Sequence, residues 1–293
     1  MLNKLLTFIV VVELVFLFLI NPVIKTKNKY KYSINTYKVS DVDKAKLENY
    51  IIGVVAAEMP ATFSIESLKA QAVAARTFAY KKIVNNDISI DNLSLDKGQA
   101  YINIDTMKKN WGNKYDEYHD KISDAVLQTK GEIITYNDEI INAYYFSISN
   151  GRTENSSQVF EEASYLVSVD SSWDQKISSY DKTISMSLDE FKNKLNINGD
   201  VNIGEINKSD TNHVNYIVIN NKKISGVDFR KKLNLRSTDF SINIENNTVF
   251  INTKGYGHGV GMSQYGANEM ALKGKNYKEI IKYYYQGVTI KKI

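Results

Sequence analysis

The chain has 293 residues, 43% of them hydrophobic, enough to bury one large core or two smaller ones. Its net charge of +4 is modest, and its lysines and arginines form no dense tract interleaved with aromatics, which argues against a nucleic-acid partner. The absence of cysteine excludes a disulfide framework and thiolate metal sites and suits a setting outside the cytoplasm.

In chain order, Leu5 to Ile24 is apolar apart from Thr7, Glu13 and Asn21, and as a helix it would span about 30 Å, one membrane crossing. No A-x-A cleavage site follows, so the segment reads as an uncleaved anchor rather than a removed signal. Residues 1–29 are therefore predicted to be a membrane anchor with a basic flank. Residues 30–293 are predicted to be one α+β domain of mixed helices and strands around a cleft.

Between Ile51 and Lys82 the chain reads IIGVVAAEMPATFSIESLKAQAVAARTFAYKK, and Glu58 ends its apolar run. A carboxyl beside apolar groups is costly to ionise, so its pKa rises and it can hold a proton ready to donate. Glu58 is the candidate general acid. Ser64 suits an N-cap, and no Gly or Pro interrupts Ile65 to Lys82, which predicts a helix. Lys69 and Arg76 lie two helical turns apart with Val73 between them, so they are expected to share a face and to seat an anion. Leu68, Ala72, Ala75 and Ala79 make a narrow apolar stripe with Gln71 at its edge as an adjustable donor and acceptor.

Further on, Tyr144 to Asn155 follows a strand-like run and supplies hydroxyl and amide groups suited to a glycan, among them Ser147 and Ser149. Residues 174–251 alternate strand-like runs with Asn, Lys and Ser and read as a strand-rich subdomain without an internal repeat. In Gly255 to Ala271, glycines at 255, 257, 259 and 261 alternate with Tyr256, His258 and Val260. An extended chain would place every glycine on one face, open to another backbone or a sugar ring, with His258 on the other; a tight crossing in the core is the alternative. Ser263, Gln264 and Tyr265 precede a short helix that Gly274 can end, and Asn276 with Glu279 forms a capping-box-like start to the last helix. Tyr283 to Tyr285 are expected to pack on the core. The three histidines, His119, His213 and His258, are too scattered for a local zinc motif, so no metal and no cofactor is expected.

These blocks, A-A-E-M-P, L-K-A-Q-A-V-A-A-R-T, G-Q-A-Y at Gly98 to Tyr101, Tyr145 to Asn155, and GYGHGVGMSQYGANEMA, resemble the stage II sporulation protein D family, over about Ser33 to Ile293. The chain departs from the family at Phe146, where histidine often stands, and at Asn150, where glycine does, so a metal site built on that histidine is in doubt. The resemblance implies a lytic transglycosylase acting on peptidoglycan glycan strands during forespore engulfment. Glu58 would protonate the glycosidic oxygen between N-acetylmuramic acid and N-acetylglucosamine and then take the proton of the C6 hydroxyl that closes onto C1. Substrate contacts are then expected from Lys69, Gln71, Arg76, Gln99, Tyr101, Ser147, Ser149, His258, Ser263, Gln264 and Tyr265.

On residues alone hydrolysis stays open, since Asp96, Glu154, Asp170 and Asp174 are available as a second carboxylate. His258 would either bind sugar or orient Glu58. A noncatalytic glycan-binding enhancer of a partner amidase is the alternative reading. The resemblance further implies work alongside stage II sporulation protein P, an amidase and endopeptidase, and the membrane protein stage II sporulation protein M. Lys25, Lys27, Lys29 and Lys31 outnumber Lys4, so charge alone would leave the domain inside the cell. The implied substrate instead places it outside, at the sporulation septum and engulfing membrane.

Overall fold

The computed structural model describes residues 41–85 and 87–293, so the apolar segment Leu5 to Ile24 lies outside the described residues. Among those described, no helix is long and apolar enough to cross a membrane. All of them fall in one compact unit of mixed α+β structure.

Two helices build the first core, α1 (Asp41–Glu58) and α2 (Ile65–Val84). Helix α2 is buried well beyond the narrow stripe expected of it, because Ala70, Ala72, Ala74, Ala75 and Ala79 let neighbours approach on several sides. Ser64 sits at its N-cap position but makes no side-chain cap bond; its backbone N–H is instead bound by Asn268 Oδ1 at 2.8 Å. Next come α3 (Ile104–Trp111), capped by the Asn103 side chain, and α4 (Tyr115–Gln128), which lays Ile122, Ala125 and Val126 into the same core.

Strands β1 (Glu132–Tyr136) and β2 (Glu139–Ile140) form a hairpin, followed by β3 (Tyr145–Phe146). A second core then begins with β4 (Asp181–Ser187) and α5 (Leu188–Leu195). It continues through β5 (Ile203–Lys208), β6 (Val214–Ile219), β7 (Lys222–Ser225), α6 (Gly226–Leu233), β8 (Phe240–Glu245) and β9 (Thr248–Lys254). The strands make two antiparallel sheets, ordered β4-β9-β8 and β5-β6-β7. Three hairpins turn on Asn137-Asp138, Asn220-Asn221 and Asn246-Asn247, all six residues at positive φ. Two consecutive positive φ values match the right-handed twist of the flanking strands, and asparagine and aspartate tolerate them.

The chain returns to the first core through β10 (Met262–Ser263), α7 (Gln264–Leu272), α8 (Tyr277–Tyr284) and β11 (Thr289–Lys292), which pairs with β1. Gly274, at φ 85°, follows α7, and the Asn276–Glu279 capping box starts α8 with both reciprocal bonds formed. Tyr284 and Tyr285 are fully buried in the first core.

The second core contains an internal repeat, contrary to expectation. Ser187-Leu-Asp-Glu-Phe191-Lys-Asn-Lys194-Leu195-Asn196-Ile197 and Ser225-Gly-Val-Asp-Phe229-Arg-Lys-Lys232-Leu233-Asn234-Leu235 are two copies of one device. Each serine hydroxyl caps its helix, each asparagine ends it in the left-handed conformation, and the two phenylalanines meet edge to face with centroids 6.2 Å apart. Only the polar and capping positions and two or three apolar ones coincide, so the likeness is faint in sequence and plain in structure.

Candidate active site

Glu58 is the last residue of α1, and the helix ends at Met59-Pro60, which leaves its carboxyl at the end of the helix. The side chain is half-buried, and desolvation holds its pKa above the usual carboxylate range. Three donors work against that shift: the Ala100 N–H on Oε1 at 2.8 Å, the Gln264 amide on Oε2 at 3.3 Å, and the Tyr145 hydroxyl. The group is thus fixed in direction on both oxygens while staying easy to protonate.

The loop that brings Ala100 to Glu58 is tied down by packing. Ile102 N–H donates to the Gly53 carbonyl at 3.2 Å, and the Tyr101 ring stacks on Tyr50 with centroids 5.4 Å apart. A side chain at Gly53 would overlap the Tyr101 ring, so the glycine is what lets the loop lie against α1. Tyr101 is 37% exposed, so part of its ring stays open to solvent next to the Ala100 donor. Gln99 is buried and bridges the site to α2: its amide donates to the Ala75 carbonyl and to the Tyr145 hydroxyl, and its oxygen accepts from Tyr50.

Tyr145 lies on β3 and Gln264 opens α7 directly after β10; the two are brought together because β3 and β10 pair in parallel, with Tyr145 opposite Met262 and Phe146 opposite Ser263. Tyr265 N–H donates to the Ser147 carbonyl at 3.1 Å, and its ring packs edge-on against Phe63. Below these strands lies Asp174, fully buried, which accepts from Ser263 Oγ at 2.6 Å, the Ser149 N–H at 2.7 Å and Ser171 Oγ at 3.3 Å. Burial pushes its pKa up to about 6. Asp174 therefore ties the chain just after β3 to β10, the segments next to Tyr145 and Gln264.

The glycine-rich segment is not an extended strand. Gly255, Gly257, Gly259 and Gly261 all have positive φ, and the segment winds through a crossing with residues 144–154 by way of isolated bridges Ile148 to Tyr256 and Glu154 to Val260. A Cβ at Gly261 would overlap the Tyr144 carbonyl, so close backbone approach is what that glycine serves. His258 lies among Tyr144, Phe146 and Phe160, and burial lowers its pKa to about 4, so the ring is neutral. Its Nδ1 accepts from the Val260 N–H, and the ring also bonds the Tyr145 backbone. His258 thus touches the Tyr145 backbone, beside the group that bonds Glu58. At Phe146 a carbon ring packs against His258 and offers no metal ligand.

Several expected substrate contacts lie elsewhere. Arg76 is fully buried, with its guanidinium on Glu48 at 2.6 Å and on the carbonyls of Val126 and Glu132, so it holds α1, α4 and β1 together and cannot reach a glycan. Gln71 is also fully buried. Lys69 is paired with Glu66 at 2.7 Å and lies near the Tyr277 ring, in the packing of α8 on α2. Ser149 and Ser263 spend their hydroxyls inside the protein, on the Ser171 carbonyl and on Asp174. Of the expected set, Gln264 bonds Glu58 directly, Gln99 reaches it through Tyr145, Tyr101 follows the Ala100 donor, and Ser147 and Tyr265 are joined to each other next to Tyr145 and Gln264 in the chain. Tyr145 and the Ala100 N–H were not among the expected contacts: the serine-rich run after Tyr145 drew the assignment, and a backbone donor leaves no mark in sequence.

The family model described as Stage II sporulation protein matches residues 35–136. Stage II sporulation protein D of Bacillus subtilis (strain 168) is 44% identical over 271 residues, covering 88% of this chain and 78% of that protein. The same protein of Bacillus amyloliquefaciens is 45% identical over the same shares. The amidase enhancer of Bacillus subtilis (strain 168) is 29% identical over 296 residues, covering 81% of this chain and 40% of that protein. The chain belongs to the stage II sporulation protein D family, whose role lies in sporulation.

Proposed function

We propose that the protein is a lytic transglycosylase that cuts peptide-free peptidoglycan strands, with Glu58 as acid and then base. The observation that carries this reading is a half-buried carboxyl with a raised pKa, oriented on both oxygens, with the partly exposed Tyr101 next in sequence to its Ala100 donor. Protonated Glu58 donates to the glycosidic oxygen, the bond to C1 breaks, and the C6 hydroxyl of the same muramic residue attacks C1. The Glu58 carboxylate takes the hydroxyl proton, so the acid is regenerated and no water is consumed.

A hydrolase would need a second carboxyl roughly 5–9 Å from the first. Each of the four candidates has partners of its own: Asp96 pairs with Lys82, Glu154 accepts from Ser209 and Thr211, Asp170 accepts from Ser172, and Asp174 accepts from Ser263 and Ser149. That favours one carboxyl serving twice. In this reading residues 1–29 anchor the protein in the membrane at the sporulation septum with the site outside, where stage II sporulation proteins P and M would be its partners. Similarity to an amidase enhancer favours the second reading, glycan binding without cleavage.

The test is mass spectrometry of peptide-free strands incubated with the full chain and with Glu58→Gln. Anhydromuramic ends from the unaltered protein alone are expected, with the variant slower by about 10²–10⁴-fold. Reducing ends would mean hydrolysis, and strands bound but intact would mean the enhancer reading.

A further inference from the structure

The two copies of the strand–helix repeat end differently. In the second, the Arg230 Nε–H donates to the Leu235 carbonyl at 3.2 Å, and the chain beyond packs on the glycine-rich segment through Arg236 and Asp239. In the first, the end of α5 meets the β6–β7 hairpin around an open cavity of about 530 Å³. That volume lies within the range of small-molecule sites. Leu195, Ile197, Ile219 and Ile224 form its apolar floor. Asn220 stiffens one wall, donating to the Asp200 carbonyl and accepting from the Asn202 N–H, both at 2.7 Å. The Asn196 and Asn198 amides stand at the rim.

The cavity is lined by three lysines and by no carboxylate. Lys223 lies over the Tyr216 ring at 3.5 Å, while Lys222 and Lys232 have no acidic partner among the described residues. The three lysines are exposed and add a positive field with no carboxylate in the lining to cancel it, which favours an anion; the apolar floor suits the face of a sugar ring or an acyl methyl, and the amides suit its N-acyl group. A bare inorganic anion would leave that floor unused.

We infer that this cavity is a second saccharide site, apart from Glu58, for an N-acylated sugar bearing a carboxylate. The inference rests on the glycan-strand reading above for its choice of sugar and deepens it: the muramic residues of a strand carry such a carboxylate once their peptides are gone. One end of a long strand would be held here, on the second core, while another part is presented to Glu58 on the first.

The test is a titration of the full-length chain, labelled with ¹⁵N at asparagine, with N-acetylmuramic acid, N-acetylglucosamine and inorganic phosphate as probes. Saturable shifts of the Asn196 and Asn198 side-chain amides are expected with N-acetylmuramic acid, at least roughly tenfold weaker with the uncharged sugar, since the lost ion contact is a charge-assisted bond. Lys222→Gln/Lys232→Gln should lose the response, and Glu58→Gln should keep it. No shift, equal response to the uncharged sugar, or equal response to phosphate would each overturn the assignment. Because the readout is binding at residues remote from Glu58, shifts without anhydromuramic ends uphold this site and defeat only the lytic reading.

Discussion

The Gln99 amide donates to the Tyr145 hydroxyl at 2.9 Å, and the same hydroxyl bonds Glu58. Burial and the nearby Glu58 charge keep the Tyr145 pKa well above its ordinary value, so it remains a neutral donor. Its bond favours the ionised form of Glu58 and offsets part of the desolvation. Tyr145→Phe should therefore raise the Glu58 pKa further and move the alkaline limb of the kcat/KM profile to higher pH. The rate at the optimum should fall about tenfold, the worth of one hydrogen bond. An alkaline limb that stays in place would show that the hydroxyl does not govern Glu58.

Arg76 offers a contrast, since its effect should be on stability. Arg76→Met leaves Glu48 buried without its cation, which should cost about 3–5 kcal/mol, read as a lower urea midpoint at unchanged slope. Adding Glu48→Gln should recover a good part of the loss, because the stranded charge is then gone. If Arg76→Met unfolds like the unaltered protein but loses glycan, the guanidinium has a ligand role that its burial denies.

The same residue shows what sequence can and cannot display. Spacing correctly put Lys69 and Arg76 two turns apart on α2, but spacing gives a face and not what covers it; α1, α4 and β1 cover Arg76. Glu58 stood out by the apolar run it ends, but the Ala100, Tyr145 and Gln264 donors that orient it come from far along the chain and leave no mark beside it in sequence. Asp174 was visible only as a spare carboxyl, since Ser149 and Ser263 reach it from 25 and 89 residues away. The Asn276–Glu279 box was readable because capping is local. The glycine alternation left an extended strand and a tight crossing both open, because a period of two also fits a chain taking positive φ at every second residue.

That crossing yields its own prediction. Gly261 combines a φ of 81° with a Cβ position occupied by the Tyr144 carbonyl, so Gly261→Ala must displace the backbone just before Tyr145. A stability loss of roughly 2–4 kcal/mol is expected. Gly274→Ala, with a similar φ of 85° and open space around its Cβ, should lose only about 1 kcal/mol. Equal losses in thermal unfolding would mean that backbone strain alone, and not the close approach, sets the cost.

Asp174 sets a pH dependence opposite in sign to that of an ion-paired carboxylate. Its folded pKa of about 6 stands above the ordinary value of 3.8, so between those values the folded state binds more protons than the unfolded chain. Stability then falls as pH rises through that window, and its contribution is most favourable below it. At about 1.4 kcal/mol per unit the decline attributable to this group is about 3 kcal/mol. Asp174→Asn retains an oxygen for the Ser263 hydroxyl and the Ser149 N–H but cannot ionise, so its urea stability should be flatter from pH 4 to pH 6 than that of the unaltered protein. Parallel curves for the two proteins would show that Asp174 titrates alike in both states, and the strands beneath Tyr145 and Gln264 would then owe their placement to the serine hydroxyls alone.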